Sequence, residues 1–276
     1  MSDMPLKTIE KPYRLERVPG GQLPDLGKLF NATLGDVIDN LAGYGLAGLG
    51  QFVVMMPVMI VLIFVIYFGI FTFMFGGAMI SGVVGALVAQ ALGDDAGGAA
   101  TSIGFLGTFG GMFLMIFALI GGVTAILAPL SASLYREIAA HQRGEGKLEF
   151  ASAFRSAMID VPSVVITMLL VTGLSLVGMF FCYVPGFFVS FGAMLAMGLV
   201  ALHRRGPIDA IRLSFSHAMA SPGWHVPFWL ILLLGGMVAG YVPIIGPMFL
   251  MALHVRAHRE MFGDGPEPVL TVGGAV

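Results

Sequence analysis

Apolar residues dominate six stretches of the chain: residues 51–75, 103–134, 161–182, 186–202, 224–240 and 243–258. No Asp, Glu, Lys or Arg falls in the interior of any of them. At ~1.5 Å per residue the first stretch is roughly 37 Å long, enough to cross a ~30 Å hydrocarbon core with some tilt. Amphipathic segments precede three of the stretches. Residues 25–42 place Leu26, Leu29, Phe30, Leu34, Val37, Ile38 and Leu41 on one helical face, with Lys28, Asn31, Asp36, Asp39 and Asn40 largely opposite. Asp25 suits the N-cap. Leu148, Phe150, Ala151, Phe154, Ala157 and Met158 form a second stripe. Ile208, Ile211, Phe215, Ala218 and Met219 form a third, after Pro207. Helices of this pattern either lie in a membrane interface or pack on the protein's own cytoplasmic surface.

Residues 78–92 are apolar and glycine-rich but short for a crossing, which needs about 20 residues. They read either as a re-entrant segment or as an extension of the first helix. Gly93–Gly98, with Asp94 and Asp95, reads as a loop. Gly104, Gly107, Gly110 and Gly111 recur at helical spacing, a pattern that lets helix backbones approach closely.

The later segments form a repeat. His141-Gln142-Arg143-Gly144 and His203-Arg204-Arg205-Gly206 each begin a unit of amphipathic helix, outward span, Tyr-Val-Pro turn and returning span. The turns are Tyr183-Val184-Pro185 and Tyr241-Val242-Pro243. The outward spans open at Asp160-Val161-Pro162 and His225-Val226-Pro227. Pro227 and Pro243 are closer together than Pro162 and Pro185 by about two helical turns, so the second outward helix is expected to tilt less or to begin within the interface. The first amphipathic helix and first two spans read as a third, degenerate copy. The fold class expected is all-α: a polytopic helical membrane protein with six transmembrane helices, amphipathic interfacial helices and an internal repeat. A single membrane domain, residues 23–262, lies between a flexible arm, 1–22, and a tail, 263–276.

Composition supports this. The chain is 57% hydrophobic and 11% charged, where soluble domains carry roughly a quarter charged residues. A net charge of −2 gives no case for nucleic acid. The lone Cys182 excludes an intrachain disulfide and a cysteine metal cluster. The N-terminus lacks the apolar core of a signal peptide, and Ser2 excludes N-myristoylation. Every Lys and Arg falls in the N-terminal region, residues 135–160, residues 203–223 or the C-terminal end. The opposite side carries only Asp94 and Asp95. The positive-inside rule then puts both termini in the cytoplasm, and a crossing by residues 78–92 would break that pattern. Trp224, Trp229, Tyr135 and Tyr241 fall near the expected interfaces, where amphipathic rings are favoured.

The spans hold no ionisable group of the kind that proton-coupled transporters keep at mid-membrane. Their polar residues are Thr72, Ser81, Gln90, Thr108, Thr124, Thr167, Thr172, Ser175 and Ser190. Such hydroxyls more often bond the preceding turn's carbonyls than a substrate. His254 and His258 have a metal-gripping spacing but no third ligand, so they read as interfacial histidines, and no metal or cofactor is expected. His141 and His203 recur without a nucleophile or carboxylate, which points to packing or headgroup contact. Gly236 and Gly240 make a small-xxx-small pair. No phosphate loop, dinucleotide fingerprint, HExxH or GxSxG motif is present. Arg143, Lys147 and Arg155 in one unit, with Arg204, Arg205 and Arg212 in the other, lie on or beside amphipathic helices. They read either as contacts to anionic lipid headgroups or as orientation signals alone.

The paired Phe154/Ala157 and Phe215/Ala218, the prolines Pro185 and Pro243, and Ile245-Gly246-Pro247 give residues 140–260 a resemblance to bacterial six-span membrane domains of unknown function. Similar domains are fused to some glycerophosphodiester phosphodiesterases. The resemblance implies an accessory membrane domain in a bacterial inner membrane, and it supplies no catalytic residues. The functional expectation is a non-enzymatic scaffold or accessory subunit that packs against lipid, partner helices or further copies. The alternative is a transporter or channel for a neutral or apolar solute.

Overall fold

A chain with this many uninterrupted apolar residues satisfies its backbone most simply by local i→i−4 bonds. A computed structural model describes residues 23–181, 183–239 and 241–263, and every regular element in them is helical. The expected arm and nearly all of the tail, with Lys7, Lys11, Arg14, Arg17 and Cys182, lie outside the described residues. The elements are α1 (Leu26–Asp39), α2 (Leu41–Phe71), α3 (Gly77–Leu92), α4 (Asp94–Gln142), α5 (Phe150–Ser156), α6 (Val161–Phe180), α7 (Val184–Ala193), α8 (Ala196–Ala201), α9 (Pro207–Ala220), α10 (Pro222–Ala239) and α11 (Ile245–Phe262). Five helical stretches are long and apolar enough to cross a membrane: Leu41–Leu92, Asp94–Gln142, Val161–Phe180, Val184–Ala201 and Pro222–Ala239. α11 is as long as α10, but it carries Arg256, Arg259 and Glu260 in its last turns.

The helices gather at one end, marked by arginines. The Arg136 guanidinium of α4 donates to the carbonyls of Ala201 (3.0 Å), Ser156 (3.0 Å) and Ile159 (3.1 Å), tying α4 to the end of α8 and the α5–α6 turn. Arg256 of α11 pairs with Asp36 of α1. The Trp224 indole donates to the Pro24 carbonyl at 2.6 Å. The stretch α7–α8 is the central post: 61% of its apolar window is buried, against 6% for Leu41–Leu92 and 11% for Asp94–Gln142.

Three short helices lie at the basic end, each before a hairpin, and they share one design. On α1, Leu29, Thr33 and Val37 are buried, while Phe30, Leu34 and Ile38 beside them are exposed. On α9, Ala210, Ser214 and Ala218 are buried, with Ile208 and Met219 exposed. On α5 and its following turn, Ala153 and Ala157 are buried, with Phe154 and Met158 exposed. Each helix therefore docks on the bundle by one stripe and leaves other apolar side chains uncovered. The buried stripes are those expected of helices packed on the protein's own surface. Asp25 caps α1, accepting from the Lys28 N–H at 2.9 Å.

In the first hairpin one of the two readings of residues 78–92 holds, the extension of the first helix, and the expected loop at 93–98 does not. Residues 78–92 continue α2 into one helical stretch of 52 residues, Leu41–Leu92, interrupted only by a π-helical turn at Thr72–Gly76. The expected loop at 93–98 shrinks to Gly93, whose φ of 97° reverses the chain, and α4 starts at Asp94. At ~1.5 Å per residue the stretch is roughly 78 Å long. α6, α10 and α11 have 18 to 20 residues, about 27–30 Å. Phe113 of α4 meets Phe180, the last residue of α6, edge-on at 5.2 Å between ring centroids. Residues 94–112 of α4 thus lie beyond the bundle. Gly69 faces Met115, so α2 leaves the bundle at the π turn.

Beyond that point the hairpin is held by a small-residue seam. Gly77 faces Thr108, Gly104 faces Ser81, Gly85 faces Thr101 and Gly97 faces Ala89, none with room for a Cβ. Of the four regularly spaced glycines, Gly104 and Gly111 enter the seam and Gly107 and Gly110 face open space. The Gly236/Gly240 expectation fails at Gly236, which meets nothing within 4 Å; Gly240 lies outside the described residues. The close approach falls instead at Gly246 against Ala239.

The second outward helix also differs. α10 starts at Pro222, five residues before Pro227, so α6 and α10 have 20 and 18 residues and the arms are nearly equal. Pro227 sits close to the helix start, where it deprives only the Gly223 carbonyl of a partner.

Two outcomes check this packing. Arg136→Lys cannot reproduce the three-carbonyl fork and should cost about 2–4 kcal/mol in a micellar unfolding titration. Gly85→Leu, which drives a side chain into Thr101 and the Gly97 carbonyl, should part the seam and cost about 1–3 kcal/mol in the same titration.

Candidate functional site

Hydroxyls in apolar helices must find an acceptor, and most find the preceding turn. Ser81 donates to the Gly77 carbonyl (2.7 Å), Thr108 to Gly104 (2.9 Å) and Thr167 to Ser163 (2.7 Å). Ser175 and Ser190 differ: both line a cleft of about 440 Å³ enclosed by α4, α6, the α7–α8 post, α10 and α11. Its remaining polar lining is Ser131, Tyr135, Trp229 and His254, among methionines, leucines, Val171 and Ala193. No Asp, Glu, Lys or Arg lines it.

At the basic end of the cleft, the Tyr135 hydroxyl and His254 Nδ1 lie 2.5 Å apart, both side chains buried. The Met194 carbonyl is near the imidazole, yet His254 Nε2 makes no hydrogen bond of ordinary geometry. Higher up, Trp229 Nε1 donates to Ser190 Oγ at 3.3 Å. One wall is a helix break. α7 ends at Ala193 and α8 starts at Ala196, and Ala193, Met194 and Met197 face the cleft. Ser214 of α9 repairs the break: its Oγ accepts from the Leu195 N–H (3.1 Å) and donates to the Gly192 carbonyl (2.6 Å). Non-helical backbone buried among apolar helices persists only when its freed groups are satisfied this way.

Sequence reading placed Tyr135, Trp224 and Trp229 at interfaces. Tyr135 and Trp224 are buried with polar partners, Trp229 lines the cleft and Tyr241 is exposed. His254 and His258, read as interfacial, are both buried. His203 is buried too, its ring 5.0 Å from that of His258, and His217 Nδ1 lies 3.4 Å from His225 Nε2. Among the described residues no three His, Cys, Asp or Glu side chains form a metal-holding group. The signal that would have found the cleft is Ser214, a polar residue in the middle of an amphipathic helix's apolar stripe. Nothing local marks the Tyr135–His254 pair, whose members are 119 residues apart.

The six basic residues lie on or near α5 and α9. Lys147, Arg155, Arg204 and Arg212 are exposed, and Arg143 and Arg205 are half-buried. Arg143 pairs with Glu145, Arg155 donates to the Ala151 carbonyl at 3.3 Å, and Arg204 lies 3.5 Å from Asp160. Both ends of the last pair take positive φ, 55° at Asp160 and 51° at Arg204.

A second feature is the outer half of the first hairpin. Phe71, Met74, Phe75, Met79, Ile80, Val83, Leu87, Ile103 and Leu106 are more than half exposed. A shallow groove of about 450 Å³ runs beside its seam, lined by Gly76, Gly77, Gly104, Gly107 and Ala100 among others.

Comparison with family models, curated proteins and solved structures finds no match to the chain.

Ser214→Ala leaves the Leu195 N–H and Gly192 carbonyl without their partner. It should cost about 1–3 kcal/mol in the same unfolding titration, with a shift in tryptophan emission as Trp229 moves with the loosened wall.

Proposed function

We propose that the protein is a multi-pass membrane scaffold or accessory subunit whose first hairpin packs against partner membrane helices. One observation carries this: the hairpin outruns its own bundle. It is uncharged from Gln51 to Leu92, about 60 Å at 1.5 Å per residue. Immersing that length in a ~30 Å core by tilt alone needs about 60°, beyond the 0–40° that membrane helices adopt. The groove of small residues beside its seam suits close approach by another helix.

Six spans are counted in this reading, α11 being the last. Both termini lie in the cytoplasm of a bacterial inner membrane. The short-helix-plus-hairpin order recurs as α5 with α6–α8 and α9 with α10–α11, with α1 and the long hairpin as the degenerate copy. The exposed stripes of α1, α5 and α9 rest in the inner leaflet, so Lys147, Arg155, Arg204 and Arg212 sit at the depth of anionic headgroups, with Arg143 and Arg205 alongside. The alternative, passage of a neutral or apolar solute, draws on the cleft alone.

Replacing Phe75, Met79, Val83 and Leu87 together by Ser should leave helicity unchanged and reduce the protein mass per particle in light scattering. Unchanged mass contradicts an assembly role. In intact cells with Cys182→Ser, an impermeant maleimide should label Asp95→Cys and spare Lys147→Cys. The reverse pattern inverts the topology.

A further inference from the structure

We propose that the cleft among α4, α6, α7–α8, α10 and α11 binds an uncharged, largely apolar molecule by a carbonyl-type oxygen, with the Tyr135–His254 pair as the point of recognition. This goes beyond the assembly role and does not depend on it. The volume of about 440 Å³ falls in the range of roughly 300–1,000 Å³ typical of small-molecule pockets. With no Asp, Glu, Lys or Arg on the lining, a charged ligand would be desolvated without a counter-charge, which is costly. Met168, Met194, Met197 and Met251 supply adaptable apolar contact.

The polar requirement follows from proton bookkeeping. A neutral imidazole has one N–H, and a phenol one O–H. If Tyr135 donates to His254 Nδ1, the imidazole proton is on Nε2 and is left to donate. If Nδ1–H donates to the tyrosine oxygen, the phenol O–H is left instead. Either tautomer leaves the pair one donor beyond the bond they share; at His254 Nε2 it has only the nearby Met194 carbonyl, without ordinary hydrogen-bond geometry. Ser190 Oγ, which accepts from Trp229, also keeps its own proton to give. The complementary ligand brings an acceptor oxygen, not a donor alone. The wall beside the pair is the Ser214-stitched break at Met194–Leu195. Broken helices of this kind accompany substrate sites in membrane transporters. Leu233, 38% exposed, is the most exposed of the lining side chains and marks the mouth.

The test uses the full chain in dodecylmaltoside micelles, with bromine quenching of tryptophan emission as the readout. The probes are 12-bromododecan-2-one and, as a stand-in for a plain lipid chain, 1-bromododecane. The ketone should quench saturably, with half-saturation at roughly a tenfold lower micellar mole fraction than the bromoalkane, about the worth of one shielded hydrogen bond. His254→Phe and Tyr135→Phe should each erase that margin while leaving the alkane response unchanged. Ser175→Phe, which fills the cleft away from the pair, should remove the saturable ketone response. Equal quenching by the two probes makes the cleft a lipid-chain slot and overturns the proposal. So does a margin that survives both pair variants, or an absent ketone response. If the pair variants do not fold, saturable ketone quenching that persists in Ser175→Phe also overturns it.

Discussion

Backbone amides in apolar surroundings must be satisfied by the protein itself, and the most buried helix here breaks that ladder. The α7–α8 post is interrupted at Met194–Leu195, and one hydroxyl, Ser214, serves a donor and an acceptor across the gap. Much else follows from this contact. It docks α9 on the post, because Ser214 lies in that helix's buried stripe with Ala210 and Ala218. It holds the wall of the cleft, because Ala193, Met194 and Met197 flank the break. It also leaves α8 positioned so that its terminal Ala201 carbonyl meets Arg136.

A second constraint is length. The helices of the later hairpins match a hydrocarbon core, and the first hairpin does not. Its π turn at Thr72–Gly76 falls where Phe113 meets Phe180, the level at which the bundle ends. Past this level cohesion passes from the bundle to the glycine seam, whose backbones approach too closely for any side chain. The outer faces carry large apolar residues that no other described part of the chain covers. The molecule thus carries two features: an inward cleft with a few placed polar groups, and an outward apolar arm.

Local patterns were largely legible in the sequence. The Asp25 cap, the three amphipathic stripes and the back-bonded Ser81, Thr108 and Thr167 all follow from spacing and hydrogen-bond chemistry. Length and proline position were poorer guides. Fifteen apolar residues at 78–92 say nothing about whether a helix ends before them, and the π turn that joins them to α2 has no composition of its own. Pro227 looks like a helix start, yet a proline close to an N-terminus forfeits too little to set the boundary. The cleft was least legible. Tyr135 and His254 are ordinary interfacial residues until the packing of α4 on α11 buries them together, and Ser175 and Ser190 differ from the other hydroxyls only in what they face.

The claim with the widest consequence is that the outer half of the hairpin is covered by other membrane helices. A photo-reactive amino acid at Val83, with the same group at Ile166 of α6 as reference, tests it in the native membrane. Both positions are exposed, but only Val83 lies beyond the bundle. A discrete protein–protein adduct at Val83 with lipid adducts alone at Ile166 is the predicted result. Lipid adducts alone at both positions would contradict the account.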